Sequence, residues 1–172
     1  PIKSSAASDV YKRQFLTMSI FITMSGYAAQ NHTAYINENG EVIETGIDII
    51  VDGAALDFSG VHEPVIIDGR TLIPMRKLFE TLNAEVSWDE NEQSITASSN
   101  GTTVKLFINN SVMYVNGVST VLDTAPRLMK YNDNFDTTMV PVRAVSESFS
   151  CDVNWDEENY SVIITTIPTE TT

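Results

Sequence analysis

The chain carries one phrase twice: TLIPMRKLFETL from Thr71 to Leu82 and TMVPVRAVSESF from Thr138 to Phe149. Placing Pro74 over Pro141 and holding that offset without a gap sets Arg76 on Arg143, Glu80 on Glu147 and Val86 on Val153. Trp88-Asp89-Glu90 then falls on Trp155-Asp156-Glu157, and Ser94 on Ser161. Apolar character is kept at Leu72/Met139, Ile73/Val140, Leu78/Val145 and Ile95/Val162. The chain is an internal duplication, so its fold has to accommodate two like units.

Each unit has the same local grammar. Leu72 and Ile73 enter as an extended segment, and Pro74 belongs in the first helical turn, where its missing N–H costs nothing. Met75, Leu78, Phe79 and Leu82 follow at helical spacing along one face, and Asn83 suits the left-handed cap that ends a helix. Val86 and Trp88 alternate with Glu85, Ser87 and Asp89, which predicts a strand with one buried face. Asp89 to Glu92 is a polar turn and Ser94 to Ala97 returns as a second strand. The second unit predicts a helix over 141–150, a strand over 152–155, a turn over 156–159 and a strand over 160–166. Between the units, 103–108 and 111–115 alternate like strands. Val51-Asp52-Gly53 and Val115-Asn116-Gly117 each pair a strand end with a tight turn. The expected class is α+β: an internally duplicated unit of antiparallel strands, with one helix packed on the sheet in each copy.

The beginning of the chain reads differently. Pro1–Gln14 resembles a translated sequencing-adapter fragment and is set aside. Phe15 to Met24 is apolar but too short to span a bilayer, which fits the hydrophobic core of a truncated signal peptide over 15–28. Gly26, Tyr27 and Ala28 place cleavage after Ala28, so the expected chain is exported, without membrane insertion once cleaved. Residues 29–46, polar with Asn31, Asn37 and Asn39, read as a flexible lead-in. The repeats then occupy about 47–113 and 114–167, and 168–172 opens a linker or tail.

Charge narrows the partners. The 172 residues carry a net charge of −13, which repels nucleic acid and anionic lipid. Excising 1–28 leaves the rest more negative, because that stretch holds Lys3, Lys12 and Arg13 against Asp9. Cys151 is the single cysteine, so no internal disulfide is possible. It aligns with Ala84, which reads as a small buried side chain.

VDG…PVIIDGRTLIPMRKLFETLNAEVSWDENEQSI, followed by VNG…TTMVPVRAVSESFSCDVNWDEENYSV, resembles the copper amine oxidase N-terminal-like domain, also called the stalk domain. The second copy departs from the pattern, with Asn134-Phe-Asp-Thr-Thr in place of Asp68-Gly-Arg-Thr. The resemblance implies a twisted antiparallel sheet wrapped on a helix. It also implies that copper and quinone belong to a separate catalytic domain, so no catalytic or metal residue carries over and no cofactor is expected. In bacterial secreted proteins such a module serves at the surface or wall. The implied function is a non-catalytic, secreted stalk or interaction element with a surface protein or glycan partner. The alternative is a carbohydrate- or peptidoglycan-binding accessory domain.

Eight duplicated residues are read as structural: Arg76, Glu80, Trp88, Asp89, Arg143, Glu147, Trp155 and Asp156. Arg76/Glu80 and Arg143/Glu147 are four apart on a helix and can touch. An arginine in the first turn opposes the macrodipole, so each is expected to bridge its own Glu and Asp89 or Asp156, pinning helix to hairpin. Trp88 and Trp155 share a strand face with a buried valine and are expected in the core. Tyr131, Phe135 and Tyr160 are the candidate exposed aromatics. His32 and His62 lack ligand spacing for copper or zinc, and 89–92 and 132–136 lack the glycine and distal glutamate of a calcium loop.

Overall fold

The computed structural model describes residues 32–132 and 135–168. The adapter-like segment, the expected signal peptide and its cleavage site lie outside the described residues. In chain order come β1 (Thr33–Ile36), β2 (Val42–Thr45), β3 (Asp48–Val51), β4 (Ala54–Ala55), β5 (Val65–Ile67) and β6 (Arg70–Pro74), then helix α1 (Met75–Thr81). Five strands follow: β7 (Glu85–Asp89), β8 (Ser94–Ser99), β9 (Thr102–Phe107), β10 (Val112–Val115) and β11 (Val118–Val121). The last elements are β12 (Arg127–Asn132), β13 (Phe135–Pro141), helix α2 (Val142–Ser148), β14 (Cys151–Asp156) and β15 (Ser161–Thr166).

The local grammar has physical causes that the backbone displays. Pro74 and Pro141 each end a strand and sit at the N-cap position with extended backbone and no side-chain capping bond, one residue before the helical turn in which they were expected. Asn83 and Ser150 take left-handed φ values of 52° and 60° just past the two helices, as the cap requires. Asp52-Gly53 and Asn116-Gly117 have positive φ at both positions, the turn whose twist matches that of the flanking strands.

The expected α+β class is overturned. Strands take 52% of the structure and helix 11%, so the fold is sheet-dominated. Each apolar helical stretch is only long enough for seven residues, whereas the segments around and between the units are strands. The expected flexible lead-in is likewise corrected, because 33–36 and 42–45 pair as the hairpin β1–β2.

Three sheets result, with orders β1-β2-β5-β6-β13-β12, β11-β10-β9-β8-β7 and β14-β15-β3-β4. The two copies meet at β6 and β13, where Ile73 lies opposite Val140, Leu72 opposite Pro141 and Pro74 opposite Met139. Ile73 and Val140 are equivalent residues of the repeat, so a pseudo-twofold axis passes through this pair. The copies also exchange strands. β3 of the first runs parallel to β15 of the second, and β10 of the second joins the first copy's hairpin through β9. The expected all-antiparallel pairing is corrected by the parallel pair β3–β15.

The first sheet curls. Flat strands about 4.8 Å apart would put β2 and β12 about 19 Å from each other. Yet Glu41, one residue before β2, accepts a bond from Arg127 of β12 at 2.8 Å. Ile43, Val65, Ile67, Leu72 and Met139 fill the inside of this curl, with Tyr35 and Met129 packed against them. Ile66, Ile73 and Val140 point the other way, into the main core with Leu78 and Phe79 of α1 and Val145 of α2. Among the described residues no helix is long and apolar enough to cross a membrane.

Ile73 is fully buried on the pseudo-twofold axis, so Ile73→Ala should cost about 3 kcal/mol in chemical denaturation. The bonds from Arg127 and then Asn37 hold the Glu41 carboxyl below its ordinary value of 4.5. A carboxyl depressed on folding stabilises above its unfolded value and loses that contribution as pH falls through the folded one. Arg127→Met should therefore melt below wild type at neutral pH, with the gap closing as the solution is acidified through that range.

Candidate functional site

Beside α2 lies a cleft of about 1050 Å³, within the size range of ligand sites. It runs between β11 and β14, the end strands of two different sheets. Its floor is aliphatic, with Met113, Val115, Leu122 and Val142, and its rim is polar, with Arg70, Asp123, Arg143 and Glu147. Trp155 and Glu44 complete the lining.

The rim charges are paired among themselves. Arg70 donates to Asp123 from Nε and Nη2, each at 2.8 Å. Arg143 reaches Glu147 Oε1 at 3.5 Å and donates to the Val153 carbonyl at 2.6 Å. Arg143 thus ties α2 to β14 through backbone. Asp156, the expected partner, is engaged elsewhere: it accepts the N–H groups of Glu158 at 3.0 Å and Asn159 at 3.1 Å. Those bonds, the Asn159 side chain first, hold its carboxyl below the ordinary range. Asp89 does the same for Asn91 and Glu92. The repeated aspartates are turn caps, and the run of acid and amide residues after each was the signal for it. Among the described residues Arg76 and Glu80 form no ion pair.

Trp155 shares its strand face with the buried Val153, as expected, but the buried face expected of β7 does not form, since every residue of that strand is exposed, Val86 included. Trp88 lies opposite Ile95 and Trp155 opposite Val162, partners that are both buried. Each tryptophan sits on an end strand of its sheet. Trp88 is 43% and Trp155 38% exposed, so the core expectation is corrected. Trp155 meets Tyr160 edge to face at 4.9 Å.

Tyr160 is half-buried and donates to Glu44, and His32 Nε2 lies 3.3 Å from the same carboxylate. Burial first, and the Glu44 bond second, push the Tyr160 phenol well above its ordinary range. Glu44 was invisible to sequence reasoning, because the segment holding it read as lead-in. The side chains of Tyr131 and Phe135 lie outside the described residues. Cys151 is buried, with burial raising its thiol, consistent with packing.

Residues 50–164 match the copper amine oxidase N-terminal domain. The chain belongs to that family. No curated protein is significantly similar to it. In amine oxidases this N-terminal domain is non-catalytic. Among the described residues no three His, Cys, Asp or Glu converge as ligands, and His62 Nδ1 lies 2.6 Å from the Glu63 carbonyl.

The duplicated arginines should now differ. Arg143→Met loses a charged bond to backbone from a side chain 57% exposed, an effect of about 1 kcal/mol. Arg76→Met should melt with wild type. Thermal melts of the two variants side by side check the contrast.

Proposed function

We propose that the chain is a secreted, non-catalytic surface module of the stalk type that works by binding, through the cleft beside α2. The observation that carries this reading is how the polar groups in that cleft are engaged. Arg70 with Asp123 and Arg143 with Glu147 bond to each other, while Glu44 accepts from Tyr160. General acid–base or nucleophilic chemistry needs a group poised to receive a substrate proton or attack a bond; this rim is occupied with itself. Large cleft volume with internally neutralised charge suits recognition.

A second reading, a carbohydrate- or peptidoglycan-binding accessory domain, draws on Trp155. Its partly open ring at the cleft offers a stacking surface for a sugar. Tryptophan fluorescence separates the two. Under the first reading acrylamide quenches the emission, whereas soluble peptidoglycan fragments and oligosaccharides leave it unchanged. The exported chain should be recovered in the surface fraction, beginning at Ala29. A saturable, sugar-dependent change that Trp155→Ala removes would transfer the assignment to glycan binding; a chain that retains Phe15 and stays inside the cell would sink the secreted reading.

A further inference from the structure

Sheet ends are hazards that proteins blunt with charge, brevity or cover. In this fold β7 carries Glu85 and Asp89, and β14 carries Asp152 and Asp156 with Arg143 bonded onto its Val153 carbonyl. β4 is two residues long, and β12 carries Arg127 and Lys130; β1 is uncharged but contributes nothing to the cleft. β11 has none of these protections. Its sequence, Val-Ser-Thr-Val, is uncharged, and Val118 and Val121 are 69% and 79% exposed. This unguarded edge is also one wall of the cleft, to which it contributes Thr120 and Val121.

The first half of the molecule shows what covers the equivalent place. The Leu56 N–H bonds to the Ile49 carbonyl, and Thr120 lies opposite Met113. Ile49 and Met113 each stand two residues before a Val-Asx-Gly turn, so Leu56 corresponds to Thr120 and Phe58 to Leu122. Leu56 and Phe58 pack against the main core. The second half has smaller side chains at both positions, and there the cleft opens. Leu122 still packs in the main core, so what is missing is chiefly the apolar bulk that Leu56 supplies, on the face that a strand presents at alternate positions.

We propose that the cleft takes an extended peptide segment of a protein partner, added as a strand to β11. It would set apolar side chains at alternate positions on the aliphatic floor, with Lys or Arg at its flanks. The proposal rests on the reading of the chain as a binding module. Strand addition gives affinity through main-chain hydrogen bonds and specificity through pockets for alternate side chains. The groups that offer those bonds follow from the register. The Leu122 N–H bonds to Ser111, so along β11 Thr120 and Val118 turn their backbone groups to β10, while Ser119 and Val121 turn theirs outward. Charge selects the flanks, because a chain of net charge −13 attracts cationic segments. A glycan fits less well, since the floor is aliphatic and Tyr160 already meets Trp155.

The test pans a phage-displayed random-peptide library against the exported chain, then titrates synthetic copies of the enriched peptides by fluorescence anisotropy. Enriched sequences should alternate apolar residues and carry Lys or Arg at the ends. Val121→Pro removes an outward N–H without touching the pairing to β10, and should weaken binding about tenfold or more with an unchanged melt. Thr120→Leu fills the cleft as Leu56 does, and should weaken binding similarly while raising the melting temperature. This second variant decides the matter if the proline unfolds the chain. Failure to enrich any peptide, or binding that Thr120→Leu and a folded Val121→Pro leave within about twofold, overturns the proposal. Binding of soluble peptidoglycan fragments without peptide binding overturns it too, yet leaves the binding-module reading standing; if neither probe binds, both fall.

Discussion

The pairing of β6 with β13 is the contact on which the rest of the molecule depends. It sets Ile73 against its own repeat equivalent, Val140, and so fixes the pseudo-twofold relation between the copies. Both residues are fully buried. A slip of one residue would turn every side chain of β6 or β13 to the opposite face. Leu72 and Met139 would leave the inside of the curled sheet, and Ile73 and Val140 would leave the main core. Two cores, one on each face, thus hold a single register.

That register explains why the copies exchange strands. Each helix follows directly on its central strand, so α1 and α2 emerge on the same face of the curled sheet and share one core. Each helix has only two turns and one apolar stripe, too little to bury a hairpin alone. β3 parallel to β15 and β10 joined through β9 extend each hairpin with a strand from the other copy. The Asx residues of the two tight turns fasten the exchange. Asp52 accepts from the backbone and hydroxyl of Thr166 at 2.9 and 2.8 Å, and Asn116 accepts from the Thr103 N–H at 2.8 Å. An Asx at each turn thus supplies the twist of one hairpin and a bond to the neighbouring strand.

Much of this was legible in residue order, and the failures share a cause. Helix faces, caps, hairpin turns and the in-facing side of Trp155 are set by neighbours within a few positions, and period and turn chemistry report those neighbours. Class, burial at sheet ends and the partners of Arg143 and Asp156 depend on residues far away in the chain. Periodicity says which face Trp155 takes; it does not say that β14 is the last strand of its sheet, where that face is left open. The hairpin Thr33–Thr45 went unread for a related reason. Its strands are four residues each, too short to show a period, and it is held by β5 and by the distant Arg127.

A duplication also sorts residues by role. Positions that the two copies share, such as the prolines at the strand–helix junctions, the turn aspartates and the buried pairs Ile73/Val140 and Ile95/Val162, serve needs that both halves have. A feature present in one half alone needs a different explanation, because the common fold does not require it. Leu56 packs against the core at the edge of the first half, so Thr120 in the second is a departure from a solution the chain already contains, while Leu122 still fills the core there. Arg70 and Asp123 are another departure, since Thr137 stands where the repeat would place a second arginine. These departures converge on one cleft and on the neutral sheet end that forms its wall. A stability requirement common to both halves would have closed that cleft, so its persistence in one half answers to a demand that the shared fold does not make.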